Sequence, residues 1–449
     1  MTATTEQVRE NVLGMVEETR EERERFLQEL VQIRSPEGEG ATILRRVAEI
    51  LTEKGADEVD FFYPDVDALR QHEGFSPVFA EHSSSPAGSE PVVVGTFKGS
   101  GGGRSLMFYG HLESATPSWD PAFVAKMKYD PWAATVAGNK LYGRAAYNMK
   151  SGMSAALLAI DCVRRAGVTL QGDLLYNANV DEDVGSNGAL ASVIRGYRAD
   201  GGICPEPTGL WICNSVGAPL WFRVDIEGLS TFAGFPGAIS AIEKGILVYQ
   251  AIQEYAEHRR RTARHPMYEH LSNQAPLGVG VFRSGNWPSN LPQNAIIEGR
   301  LGKLPGESEE ELRAEFEGRI AAVARQDEWL AEHPPTVTWT ARWESVTTPT
   351  EHPIVQTTVA AYRELLGDEP VVGGKTAGND MTKIGKYGGV PSVNWGPRGG
   401  PHGYRLKGES ADADLVDEYV DLDSYHTLTR LFALTILDWC GVGSQEGPV

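Results

Sequence analysis

Ser105-Leu106-Met107-Phe108-Tyr109-Gly110-His111-Leu112-Glu113 decides the fold. A short continuous apolar run that ends on glycine and histidine is the pattern of a buried strand delivering a polar side chain at its C-terminal end. The same pattern repeats downstream. A helix is expected over 149–166, a strand over 173–179 ending before Asp181-Glu182-Asp183, and a helix over 186–197. The segment Ala199–Cys204 then runs into Pro205-Glu206. Strands that alternate with helices predict an α/β fold with a mostly parallel sheet. Each polar cluster falls just beyond a strand end, where such sheets place their ligand crevices.

Working outward, 5–33 reads as one helix, with Val8, Val12, Met15, Val16, Phe26, Leu27, Leu30 and Val31 at helical spacing. Ser35–Gly40 breaks it, a second amphipathic helix runs through Ile43–Leu51, and Pro91–Phe97 reads as a strand. After residue 215 the texture changes. Leu220–Ile226 alternates, a helix covers about 238–260, strands lie near 276–283 and 294–302, and a helix spans 307–325. This is a β-α-β-β-α-β order, that of an α+β ferredoxin-like domain. His333-Pro334-Pro335 reads as a linker. Beyond it α/β texture returns, with a helix over 352–366, a loop Gly373–Asp380, a strand Pro391–Trp395 and a helix over 421–440. The expected organisation is a catalytic domain in two parts, 1–215 and 336–449, with a lid or dimerisation domain, 216–335, inserted between them.

The composition narrows the class. The chain has 449 residues, with 41 Lys+Arg against 61 Asp+Glu and a net charge of −20. That acid excess argues against a nucleic-acid partner or an anionic membrane surface. No apolar stretch approaches the roughly 18–20 residues of a membrane span. The first thirty residues are highly charged and lack the apolar core of a signal peptide. Cys162, Cys204, Cys213 and Cys440 form no CxxC pair, so neither a disulfide framework nor a thiolate zinc site is expected. A cytoplasmic, reduced protein is the expectation.

Four clusters carry the chemistry: Gly110–Glu113, Gly143–Lys150, Asp181–Gly185 and Cys204–Thr208. One imidazole with carboxylates from successive strand ends can converge on a divalent cation. A neighbouring carboxylate can then serve as general base toward water. Taken singly, His111 is an ordinary hydrogen-bonded histidine, Asp181–Asp183 a solvated acidic loop, and Glu206 a turn residue.

Their order changes that reading. From about residue 20 to 440 the chain resembles the metal-dependent amidohydrolases and metallopeptidases that include aminoacylases, acetylornithine and succinyl-diaminopimelate deacylases and glutamate carboxypeptidases. Gly110–Pro117 resembles that family's GHxDxVP, Gly143–Gly152 its GRGxxDMKGG, Asp181–Gly188 its DEExGSxG, and Glu206-Pro207-Thr208 its acid-Pro-Thr segment. Gly396-Pro397 to Asp417-Glu418-Tyr419-Val420 resembles its GPG…EYV stretch. The resemblance implies that His111 and Glu206 bind a first metal and Asp183 a second, with Glu182 as general base. Glu113 stands where the family has an aspartate that orients the histidine ligand.

Three positions depart from the family pattern. The bridging aspartate is Asn148. The last histidine ligand, expected just before Glu418-Tyr419-Val420, appears as Asp414, with His402 as a possible substitute. The lid histidine that stabilises an oxyanion in a neighbouring subunit's site is Phe232. Two-metal hydrolysis needs cations roughly 3.5–4 Å apart that share charge, and a neutral amide neutralises such a pair poorly. The expectation is therefore one labile divalent ion per chain, manganese or zinc with cobalt as a third option. His111 and Glu206 hold it, near Asp183 and Asn148.

Asn290, Arg300 and Lys375 are candidate contacts for a substrate carboxylate, and Phe232 makes the site more aromatic. Arg300 reads equally as a surface strand residue. The leading reading is hydrolysis of a C–N bond in a small carboxylate-bearing substrate by activated water. The alternative is an aminohydrolase that replaces an aromatic amine with hydroxyl, as one divergent member of the family does in turning 5-nitroanthranilate into 5-nitrosalicylate. A third reading is a non-catalytic binding or scaffold member. The resemblance also implies a homo-oligomer assembled through the lid.

Overall fold

The computed structural model describes residues 4–36, 38–76, 86, 88–114, 125–183, 185–233, 236–401, 406 and 416–443. The chain divides into two compact units. The larger comprises Met1–Ser215, Val346–Gly373 and Asn379–Val449, and the smaller Val216–Ser345 and Gly374–Gly378.

In the larger unit the sheet runs Glu58–Phe62, Val92–Phe97, Leu174–Asn179, Leu106–His111, Gly201–Cys204, Ser392–Asn394, Ile212–Val216, Val346–Thr347. Its centre is parallel. Leu106–His111 runs parallel to both its neighbours, and Ser392–Asn394 runs parallel to Gly201–Cys204. Antiparallel strands flank that centre on either side. Every residue of Leu106–His111 and of Leu174–Asn179 is buried, as expected of strands at the centre of a parallel sheet. The helices Ser151–Arg165 and Leu422–Cys440 pack on each other, joined by a 2.8 Å hydrogen bond between Ser154 and Tyr425 hydroxyls. Phe432 meets Phe108 at 5.1 Å and Trp395 at 5.8 Å between ring centres, which seats the last helix on the sheet.

The N-terminal segment differs from the single helix expected. Thr5–Glu18 and Arg20–Gln32 are separate helices that meet at Thr19. The Thr19 hydroxyl donates to Met15 O at 2.8 Å and accepts from Arg23 at 2.9 Å. Arg23, fully buried, continues to His426 Nδ1 at 2.9 Å. A side chain that bonds back into the helix beside a buried guanidinium is a sufficient cause for the break.

The smaller unit is a four-stranded antiparallel sheet in the order Leu277–Ser284, Asn294–Leu301, Leu220–Glu227, Thr336–Arg342. Phe222, Val224, Ile226 and Ile297 form its core with residues of the helices Ala241–Thr262 and Glu309–Ala324, such as Val248, Ile252, Phe316 and Ile320. The sequence places the end of this unit ten residues too early. His333-Pro334-Pro335 is not a link back to the larger unit: His333 stacks on Trp329 at 3.7 Å, and Thr336–Arg342 pairs with Leu220–Glu227. It is the sixth element of the expected β-α-β-β-α-β order, and the unit closes at Ser345.

Candidate metal centre

His111 is the last residue of the central strand and lies level with Asn179 on the neighbouring one. Past Asn179 the chain turns at Asp181, whose backbone is left-handed (φ 83°) and whose carboxylate accepts from Gly188 N at 2.9 Å. That turn aims two backbone N–H groups at one acceptor. Glu113 Oε1 accepts from Glu182 N at 2.6 Å and from Asp183 N at 3.3 Å. The other oxygen, Oε2, lies 3.1 Å from His111 Nδ1. That pair is close enough for a bond but misaligned for one, so neither atom has a hydrogen-bond partner among the described residues. The far ring nitrogen, Nε2, lies 3.7 Å from Glu206 Oε1. One ligand atom each from His111, Glu182 and Glu206 falls within 4.8 Å of the others, and all three residues are buried.

The electrostatics follow from that crowding. Burial, then the Glu206 carboxylate, push Glu182 well above the usual carboxylate range. Burial alone favours a neutral His111 ring, but Glu113, Glu182 and Glu206 outweigh it and raise the imidazole well above its ordinary value. Buried carboxylates gathered around one imidazole are costly unless a cation or protons neutralise them.

The residues fit a divalent ion. His111 Nε2 is buried without a hydrogen-bond partner among the described residues and faces two buried carboxylates. Nδ1 faces Glu113, the arrangement that fixes the tautomer of a ligating histidine. Imidazole with oxygen donors suits zinc, manganese or cobalt.

Glu182, expected only as the base, thus stands within the ligand-bearing triad. Asp183, expected as a ligand, is outside that triad; the residue is exposed at the surface, though burial of its carboxyl and then the Glu113 charge push it up to about 6. Asn148 sits in the turn Ala146–Lys150 with its buried Oδ1 unpartnered among the described residues. In the smaller unit, Phe232 and Asn290 face each other across an antiparallel bridge, and Phe232 is 58 % exposed. Arg300 lies half-buried opposite Trp221, on a strand whose core-facing residues are Ala295, Ile297 and Leu301. Lys375 is almost wholly buried. His402 and Asp414 lie outside the described residues.

Two residues escaped the sequence reading. Asp380 is fully buried and accepts from Asn179 Nδ2 at 3.0 Å, and burial pushes its carboxyl up to about 6. Glu418 grips the turn that carries Asn148. Both fall inside the Gly373–Asp380 and Asp417–Val420 stretches, but nothing local marks what either touches.

The model of peptidase family M20/M25/M40 matches residues 107–438. The N-formyl-4-amino-5-aminomethyl-2-methylpyrimidine deformylase of Bacillus subtilis is 24 % identical over 379 residues, covering 80 % of this chain and 85 % of the relative. Among solved structures, human carnosine dipeptidase 1 is 15 % identical with a TM-score of 0.72, covering 96 % of this chain and 99 % of that one. Bacillus subtilis YXEP, described as a dinuclear metal-binding peptidase, is 14 % identical with a TM-score of 0.56, covering 94 % and 99 %. Those likenesses extend along nearly the whole fold, and the family match takes in the strand ends that carry His111, Glu182 and Glu206: the chain belongs to peptidase family M20/M25/M40.

Proposed function

We propose that this protein is a metal-dependent hydrolase that cleaves a C–N bond in a small carboxylate-bearing substrate, using one labile divalent ion per chain. The observation that carries this is the buried convergence of His111, Glu182 and Glu206 within 4.8 Å. His111 and Glu206 would hold the ion, with Asn148 and Asp183 as flanking donors. Once bound, the ion supplies Lewis acidity, which brings the pKa of water toward neutrality. Glu182 is the base. Burial, then the Glu206 carboxylate, raise its carboxyl well above the usual range, and it would take a proton from water and return it to the departing nitrogen. Glu113 faces the imidazole at Nδ1, 3.1 Å away, and fixes the Asp181–Asp183 turn through its other oxygen. Asn290, Arg300 and Lys375 are the proposed contacts for the substrate carboxylate.

A second reading has specific support. A phenyl ring stands at Phe232, where the family carries an oxyanion-stabilising imidazole, and it is exposed beside Asn290. The Bacillus subtilis relative is named for removing formyl from an aromatic pyrimidine. An aromatic substrate suits both facts. In the aminohydrolase version, charge develops on the ring rather than on a carbonyl oxygen, so the missing imidazole costs nothing. A second copy of the chain would cover the lid: Ile242, Ile246 and Phe282 are exposed on the helix Ala241–Thr262 and the outermost strand Leu277–Ser284. Among the described residues the four buried cysteines form no disulfide, which suits a reducing cytoplasm.

The test is titration of metal-stripped protein with manganese, zinc and cobalt, counting ions per chain. N-acyl amino acids, dipeptides and 5-nitroanthranilate are offered, and products, ammonia included, are followed. One exchangeable ion with turnover of an amide is the expected result. Turnover only of the aromatic amine, with release of ammonia, selects the second reading. Failure to bind any ion overturns both and leaves a scaffold.

A further inference from the structure

The turn Ala145–Asn148 enters the irregular helical segment Ala146–Lys150. Ala145 is left-handed (φ 57°), and Asn148 and Met149 depart from helical angles inside the turn. A non-glycine residue held in that conformation costs energy and persists only where the surroundings over-determine it. Two side chains do so here, Lys150 at the end of the turn's own segment and Glu418 from far along the chain. Behind the turn, Lys150 Nζ donates to Leu30 O at 2.9 Å and to Ile33 O at 2.8 Å. In front, Glu418 Oε2 accepts from Ala145 N at 3.0 Å, and Oε1 accepts from Tyr147 N and Asn148 N, each at 3.1 Å. Arg144 Nη1 lies 3.7 Å from the same carboxylate. The Glu418 backbone joins in, since its carbonyl accepts from Gly143 N at 3.0 Å. The side chain of Glu418 is 9 % exposed.

A carboxylate that accepts from three backbone N–H groups has most of its acceptor capacity committed to the backbone. Its effect is to fix where one backbone runs, and that backbone carries Asn148. We infer that Glu418 is a positioning residue for the metal centre: it sets Asn148 for coordination by anchoring the N–H groups of the Ala145–Asn148 turn. A neutral amide is a weaker donor than the family's aspartate at this position, and is not drawn to a cation by its own charge. Asn148 therefore depends on its backbone being preset, and Glu418 presets it. This inference rests on the proposal that Asn148 is a metal donor.

The experiment is a double-mutant cycle on metal affinity, with manganese and cobalt alone as probes and the intact chain stripped of metal. The variants are Asn148→Ala, Glu418→Gln and the pair. E418Q is expected to weaken binding about 10–100-fold, the usual effect of removing a partner behind a ligand, and to alter the visible spectrum of the cobalt form. In the N148A background the same change is expected to add little. Melting of the metal-free variants is followed alongside, since loss of packing alone lowers melting temperature without moving affinity or spectrum. If E418Q does not fold, Glu418→Asp, which keeps the charge and shortens the reach, takes its place in the cycle. Unchanged affinity in E418Q while N148A weakens binding overturns this inference alone. Independent, additive losses from the two changes also overturn it. Unchanged affinity in N148A overturns it together with the reading of Asn148 as a donor.

Discussion

Glu113 serves two sides at once, and this makes Glu113→Gln a decisive perturbation. The carboxylate accepts the Glu182 N–H at 2.6 Å and the Asp183 N–H at 3.3 Å on one oxygen, and faces His111 Nδ1 at 3.1 Å with the other. A carboxylate accepts on both oxygens, but an amide accepts on only one. If the glutamine oxygen stays on the Glu182 N–H, its NH₂ group faces Nδ1. It then donates to the ring and forces the imidazole proton onto Nε2, the atom that must be free to bind metal. If the amide turns over, its NH₂ meets the Glu182 N–H donor to donor. That leaves a buried backbone group unpaired, at a cost of about 1–3 kcal/mol. Either way the metal centre loses. The expected weakening is about 10–100-fold, or about 1.4–2.7 kcal/mol. Calorimetric titration of the metal-stripped variant with manganese and zinc reads it directly. Glu113→Asp is the control. It keeps both acceptor oxygens and is the residue that the family resemblance places at this position, so most of the affinity should survive. Wild-type affinity in E113Q would refute the claim that Glu113 sets the tautomer of His111.

Asn148→Asp restores a charged bridging donor and is expected to raise the count of bound ions from one to two per chain; metal analysis after dialysis checks this. Gly396→Ala would place a Cβ 2.1 Å from Glu206 O, far inside contact distance, so the backbone of a proposed ligand must move. Metal affinity in G396A should fall together with melting temperature, and retention of both would show that Glu206 tolerates the shift. In the smaller unit, Asp327 caps the helix Glu328–Glu332 and pairs with Lys244 at 2.7 Å. Burial opposes the charged form, but Lys244 and the capped N–H groups together lower its carboxyl. The stability from a lowered carboxylate is full above the unfolded value of about 3.9 and is lost as pH falls through the native one. Asp327→Asn keeps the cap but removes that charge. Its cost should be about 1 kcal/mol at neutral pH and shrink toward acid, as read by denaturant melts at pH 7 and below 4.

The residues that the sequence exposed best are those whose neighbours in the chain are also their neighbours in space. His111 ends a run of buried apolar residues, and the strand beneath it dictates both its position and its burial. Leu220–Glu227 alternates because one of its faces is core, and its pattern of burial repeats that alternation. Thr336–Arg342 alternates just as clearly, yet the two prolines before it read as domain punctuation, because proline marks a boundary without saying between which elements. Thr19 failed for a different reason. Apolar spacing continues through it, and only a bond with Arg23, which reaches across to His426, shows why the helix stops there.

The supporting charges were beyond any local reading. Glu418 reaches Ala145 across 273 positions, and Asp380 reaches Asn179 across 201. No periodicity spans such distances. What the sequence does carry is a trace of the space these contacts need. Gly152 comes within 2.0 Å of Pro205 O, and Gly396 within 2.1 Å of Glu206 O, measured to the Cβ each of them lacks. Each glycine lies in a different motif, and both close on the one backbone segment Pro205-Glu206. A side chain at either position would force a shift where that segment passes, so these glycines support the metal centre as the ligands do. Ligand chemistry can be read one residue at a time. The arrangement that makes three buried side chains converge is held by residues whose only local sign is the absence of a side chain, or a carboxylate with no evident task.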